Sequence, residues 1–159
     1  MNGLRRIRPA EYERLEAALK AEGLPTDDLG CAFNRFYALE ESGALLGYAG
    51  LERRGGAALL RSVVVPPERR GCGIGRRLVE ATLDKAAALG HREAHLLTTT
   101  AAAYFERLGF ERVAREGVPA GIAASAQFAS LCPSSAVLMR RTIAAPAVSA
   151  VPERQPLPA

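Results

Sequence analysis

The chain has 159 residues, 48% of them hydrophobic and 24% charged, which is the composition of one ordinary globular domain able to bury about two thirds of its unfolded surface. A net charge of +4 would suit an anionic partner, but the arginines are scattered and no basic run is interleaved with aromatics, so nucleic acid is not expected. No apolar run approaches the roughly 20 residues of a membrane span and residues 1–6 carry no apolar signal region, so no membrane partner and a cytoplasmic location are expected.

Cys31, Cys72 and Cys132 are odd in number and lack C-x-x-C spacing, which indicates neither a disulfide framework nor a zinc site. His91 and His95 are the only imidazoles, and no metal constellation is expected.

In chain order, residues 4–8 read as a first strand and residues 10–21 as an amphipathic helix with Tyr12, Leu15 and Leu19 on one face. Gly23 and Pro25 stop it, and Thr26-Asp27-Asp28 starts a short turn. Residues 33–39 and 44–51 form a hairpin around Glu40-Glu41-Ser42-Gly43. Residues 57–65 follow as a strand so continuously apolar that it belongs at the centre of a sheet, completing an antiparallel meander. Arg61 interrupts that strand. Burying an unpaired guanidinium is costly, so Arg61 either pairs with a core-edge Glu or clamps an anionic ligand.

Beyond the meander, Ile74, Leu78, Leu83, Ala86 and Leu89 carry helical spacing up to Gly90. Residues 94–97 read as a short buried strand, Thr98-Thr99-Thr100 can cap a helix over 101–108, and Gly109-Phe110 turns into a strand over 111–114. A helix over 122–131 and a last strand over 135–142 close a domain of residues 1–143. From Ala144 on, four prolines among small residues predict a disordered tail over 144–159.

The chemistry is concentrated between the central strand and the long helix, where two prolines lead into Arg69-Arg70-Gly71-Cys72-Gly73-Ile74-Gly75-Arg76-Arg77. Three glycines in five residues let backbone N–H groups converge on the unpaired amides and positive dipole end of the helix, and four arginines flank them. That arrangement is a pyrophosphate cradle. It is not the dinucleotide pattern G-x-G-x-x-G, because Arg76 stands where the third glycine belongs, and nothing resembling Gly-Lys-Ser/Thr follows Gly71.

What remains, Arg70-x-x-Gly73-x-Gly75 after a strand, resembles the acetyl-coenzyme A loop of the GCN5-related N-acetyltransferase (GNAT) superfamily, and so does Leu108-Gly109-Phe110 after a helix. Leu60-Arg61-Ser62-Val63-Val64-Val65, Leu96-Leu97-Thr98-Thr99-Thr100-Ala101, Val118-Pro119 and the run from Phe128 through Cys132-Pro133-Ser134-Ser135 to Met139 resemble the arsenic-resistance N-acetyltransferases, over about residues 4–142. A more distant similarity is to the acetyltransferase domain of N-acetylglutamate synthases. The resemblance implies an α/β (α+β) GNAT fold: a mixed, mostly antiparallel sheet of about seven strands, helices on both faces, and a splayed parallel strand pair.

It also implies acetyl-coenzyme A as co-substrate without a metal, and a small-molecule amine as acceptor, the amino group of an acidic, arsenical or phosphinic amino acid. Val63, Val64 and Val65, with Arg70 and the amides of Gly71, Cys72, Gly73, Ile74, Gly75 and Arg76, would hold the cofactor. An N–H near Val64 would stabilise the oxyanion. Two residues stand open for protonating the leaving thiolate. Ser135 matches the final-strand serine of the glutamate-acetylating relatives. Tyr104 precedes by one residue the position, here Phe105, where many members carry Tyr.

No base is named, since the relatives' Glu falls on Ala58, and a water relayed through backbone carbonyls, Glu40 or Glu41 would serve. Arg61 and Arg35 are the candidate substrate clamps, each weighed against a structural role, and Cys132 is expected to pack. Acetylation of a protein N-terminus, a lysine or an antibiotic stays open, as do a non-catalytic coenzyme A-binding regulator and a homodimer.

Overall fold

The computed structural model describes residues 3–144. β1 (Gly3–Arg6) leads through a 3-10 turn (Pro9–Glu11) into α1 (Tyr12–Ala21), and the meander β2 (Asn34–Glu41), β3 (Ala44–Arg54), β4 (Ala57–Val64) follows. The chain then runs through α2 (Ile74–Ala88), β5 (Glu93–Thr98), α3 (Ala102–Arg107), β6 (Glu111–Arg112), α4 (Ala120–Ala123) and β7 (Val137–Thr142). The strands form one seven-stranded sheet in the order β1-β2-β3-β4-β5-β7-β6, antiparallel except for β4 with β5. The fold class is the one expected from the sequence, a mostly antiparallel mixed sheet of GNAT type with helices on both faces.

Strand alternation decides which helix each face receives. Phe36 and Ala38 of β2 meet Leu15 and Leu19 of α1, while Tyr37 faces the cluster built on Val79 and Leu83 of α2. Burying Leu15 and Leu19 completely contributes about 1.5–3 kcal/mol each. β4 is apolar on both sides because both sides are covered. Ala58 and Leu60 pack on the α2 face, and Ala57 and Leu59 pack under Ile122 of α4.

Two departures from the sequence reading have local causes. The helix expected over 122–131 is broken into α4 and a wide turn of π type (Gln127–Leu131). There the Ser125 hydroxyl donates to the Ile122 carbonyl (2.7 Å) and accepts from the Phe128 amide (3.2 Å), offering the backbone an alternative to the helical ladder. The last strand begins at Val137 because Pro133 to Ala136 closes a turn, with the Ala136 amide donating to the Pro133 carbonyl at 2.9 Å. Apart from Ala144, the expected tail lies outside the described residues. Among the described residues no helix is long and apolar enough to cross a membrane.

The feature that positions the site is a parting of the sheet. β4 pairs with β5 only from Ala57–Glu93 to Leu59–His95. β5 then stays with β7 as far as Thr98–Val137, while β4 stays with β3 as far as Val64–Tyr48. The β3–β4 register slips between Tyr48 and Gly50, and Ser62 adopts a left-handed φ of 55°. Such a bulge increases local twist and turns β4 away from β5. A V opens between Leu60 to Val64 on one strand and Leu96 to Thr98 on the other.

Candidate active site

Two cavities occupy this V. The first, about 630 Å³, is lined by Val63, Val64 and Val65, by Arg69, Arg70, Gly71, Gly73, Ile74, Gly75 and Arg76 of the loop and α2 start, and by Tyr104 and Arg107 of α3. The second, about 420 Å³, lies toward Leu60, Ser62, Leu97 to Thr100, Gln127 and Cys132. Leu24, Val63, Thr100, Ala101 and Phe105 line both, so the two open into one another.

The cradle is formed by backbone. Gly71 and Gly73 take φ of 83° and 76°, a left-handed conformation that side-chain-bearing residues rarely adopt, and Gly73 is the residue that starts α2. A Cβ at either glycine would meet no atom within 4 Å, so the loop surface above them is open to receive a ligand. Arg69, Arg76 and Arg107 place positive charge around the same cavity. A glycine loop opening a fifteen-residue helix, with its first amides free and cations around it, fits the pyrophosphate of coenzyme A. Cys72, expected among the cofactor-holding residues, is exposed in this loop and does not line the cavity.

Tyr104 is brought to the cofactor cavity, not turned into the core. Its hydroxyl stands against Gly75, the second residue of α2, where an added Cβ would collide with it. Phe105 fills the core between Tyr104 and Phe110 instead. Burial raises the Tyr104 pKa against the opposing effect of Arg76 and Arg107, so the phenol stays protonated and can donate. None of Thr98, Thr99 and Thr100 caps α3, whose N-cap position is Ala101 without a side-chain bond; the Thr98 hydroxyl instead accepts from the Ala101 amide at 3.0 Å and closes the turn that leads into the helix.

Several residues singled out in the sequence lie elsewhere. Ser135 is exposed in the turn before β7 and lines neither cavity, because Pro133 starts that turn and delays the strand. Arg35 lies on β2 opposite Leu51, next to Tyr37 on the same strand face, and also lines neither. Glu40 and Glu41 pair with Arg5 and Arg77 at the β2–β3 turn and line neither cavity. Ala58 is fully buried on the α2 face.

Arg61 takes the structural one of its two readings, with an Asp in place of the expected Glu as its partner. Its two terminal nitrogens grip both carboxylate oxygens of Asp28, at 2.5 and 2.6 Å, and Nε donates to the Ser62 hydroxyl at 3.3 Å. The side chain has no exposed surface, although the residue is among those that line the second cavity. The fork that would clamp a ligand is thus spent on a structural partner. Asp28 sits on the loop joining α1 to β2, and Asn34 ties the same loop down by donating to the Asp28 carbonyl at 2.7 Å. Sequence reasoning missed Asp28. Its only signal was the carboxylate pair in Thr26-Asp27-Asp28, and a contact spanning 33 residues has no local trace.

The second cavity has Ser62, Thr98, Thr99, Thr100, Gln127 and Cys132 as polar lining, and no carboxylate among the residues that line it. Burial pushes the Cys132 thiol above its ordinary value, keeping it protonated. Among the described residues no group of three or more His, Cys, Asp and Glu is placed to hold a metal ion.

Comparison with known proteins adds the following. The acetyltransferase (GNAT) domain family matches residues 32–112. N-acetylglutamate synthase from Neisseria gonorrhoeae, complexed with coenzyme A and N-acetyl-glutamate, superposes with a TM-score of 0.73 at 20% identity, covering 89% of this chain and 35% of that one. The chain therefore spans about a third of that synthase. Rv2747 from Mycobacterium tuberculosis, in complex with CoA and NLQ, gives 0.72 at 21% identity over 89% of this chain and 99% of that one. A putative acyl-CoA N-acyltransferase from Klebsiella pneumoniae gives 0.68 at 22%, over 91% and 99%. The search of curated proteins returned no significant match.

Proposed function

This chain belongs to the acetyltransferase (GNAT) family, and from that premise we propose that it transfers the acetyl group of acetyl-coenzyme A to the amino group of a small amino-acid-like acceptor, with arsenical and phosphinic amino acids among the candidates. The observation that carries this reading is the convergence of three separate stretches on the second cavity. Leu60 to Val63, Leu97 to Ala101, and Leu131 to Pro133 with Ala136 wall a single space that opens onto the cofactor cradle. Those are the stretches that resemble the arsenic-resistance enzymes. The gonococcal synthase holding N-acetyl-glutamate supports the same acceptor class.

Acetyl-coenzyme A supplies the activated acetyl group. The amides of residues 71–76 would hold its pyrophosphate, and the β4 backbone from Val63 to Val65, unpaired on the β5 side, offers N–H groups to the carbonyl oxygen as charge develops there. The Tyr104 hydroxyl is the proton donor for the departing thiolate, since it is protonated and lines the cofactor cavity whereas Ser135 does not. No side chain lining either cavity is assigned as the base, and a water would take the proton that the acceptor's ammonium group must lose.

Polycationic acceptors such as polyamines and aminoglycosides need carboxylates to offset their charge, and none lines the second cavity. A thioester-cleavage assay with a panel of acceptors tests the proposal. Turnover is expected with glutamate-like, arsenical or phosphinic amino acids. Turnover confined to peptides, aminoglycosides or spermidine would refute the acceptor class, and tight cofactor binding without any turnover would make the chain a regulator.

A further inference from the structure

Arg70, the arginine that opens the cofactor motif, is held twice. Its Nε donates to the Val65 carbonyl at 2.9 Å, and its Nη2 lies 2.7 Å from the carboxylate of Glu22, which caps the C-terminal end of α1. Both residues line the cofactor cavity, with 49% of the Arg70 side chain and 30% of the Glu22 side chain exposed. A protein anion therefore already sits at the guanidinium of the pyrophosphate loop. Exposed pairs of this kind are weak, and a guanidinium fork prefers the several oxygens of a pyrophosphate to one carboxylate.

The position of Glu22 gives the contact a second meaning. Gly23, Leu24 and Pro25 come next and wall the acceptor cavity, and Asp28 is locked to the buried Arg61. Residues 22–28 form a strap fastened at one end by a buried pair and at the other by an exposed one. The Gly23 and Leu24 amides donate to the Lys20 and Leu19 carbonyls at 3.1 and 3.0 Å, so displacing Glu22 pulls directly on the end of α1.

We propose that Glu22 is a latch that competes with the cofactor's pyrophosphate for Arg70, and that its release loosens the Gly23 to Pro25 wall of the acceptor cavity. The proposal rests on the acetyl-coenzyme A reading above. The cost of breaking the latch is subtracted from cofactor affinity, so removing the carboxylate should tighten binding.

Calorimetric titration of the full chain with coenzyme A tests it. Glu22→Gln should bind two- to fivefold more tightly than the unaltered chain, the range given by an exposed ion pair. Glu68→Gln removes the same charge from the turn that carries Arg70, at an exposed residue that makes no ion pair among the described residues, and should gain less. In an Arg70→Met background the gain from Glu22→Gln should vanish. Hydrogen exchange at Gly23 and Leu24 should quicken on adding coenzyme A to the unaltered chain and not respond in Glu22→Gln. Equal or weaker binding by folded Glu22→Gln, a gain that persists without Arg70, or exchange that does not respond would each overturn the latch. Failure of the unaltered chain to bind coenzyme A would overturn the function reading itself, and the latch with it.

Discussion

Exchanging Asp28 for leucine would leave the Arg61 guanidinium with no carboxylate in a place where its side chain has no exposed surface. Removing one partner of a buried pair costs about 3–5 kcal/mol, because the remaining charge stays desolvated. For a chain of this size that is a fall in Tm of roughly 6–20 °C, a large part of a typical domain's stability. Arg61→Met should cost less, about 1–3 kcal/mol, because the carboxylate it strands is 11% exposed on a loop and can turn to water. The double variant Asp28→Leu with Arg61→Met should lie within about 1 kcal/mol of the parent, as apolar replacements of buried pairs often do. Urea denaturation of the four proteins gives the cycle directly. Coupling below about 0.5 kcal/mol, or a worse loss from Arg61→Met than from Asp28→Leu, would refute the argument that burial of the guanidinium sets the cost. The double variant also separates packing from function: with stability restored but the 22–28 loop unpinned, the KM for the acceptor should rise while cofactor affinity holds.

Gly73→Asp should weaken acetyl-coenzyme A binding severely in a folded protein, since it puts a carboxylate into the cradle at a φ of 76°, and unchanged affinity by calorimetry would remove the cofactor site from this loop. Tyr104→Phe should lower kcat about 10²–10⁴-fold with little change in KM, whereas Ser135→Ala should be silent, and steady-state kinetics giving the reverse order would exchange the two roles. The raised Tyr104 pKa adds that no alkaline limb from this residue enters the kcat profile below pH ~10. Burial holds the His95 imidazole below its ordinary value, so the folded chain refuses a proton that the unfolded chain takes up near pH ~6.5. The stability that follows is complete above that pH and lost as it falls. His95→Gln should flatten the decline in Tm between about pH 7 and pH 5, and a parallel decline in both proteins would assign it elsewhere.

What was legible in the chain follows from what is local. The glycine loop was readable because an N–H cradle needs residues close in sequence, and β4 because a strand covered on both faces must be apolar on both. Tyr104 was found but not aimed, since one residue turns a helical side chain by about 100° and only the packing of Phe105 against Phe110 settles which ring faces inward. Ser135 was misplaced because resemblance in a strand says nothing of where Pro133 makes that strand begin. Arg61 could be recognised as needing a partner. That the partner was Asp28, on a loop 33 positions away, is a property of the closed sheet.

The two halves of the cleft have unlike ancestries in the chain. The cofactor side is drawn mostly from one continuous stretch, Val63 to Arg76, with Glu22 and Leu24 at the end of α1 and residues 100–108 around α3 added. The acceptor side is assembled from the α1–β2 loop, the ends of β4 and β5, and the irregular connection before β7, each touching the cavity with a few side chains. The connections on the acceptor side can therefore be remodelled one at a time while residues 63–76 are kept. For the engineer the same division marks where to randomise: positions 23–25, 98–100 and 127–133 are the library, and residues 63–76 are the frame.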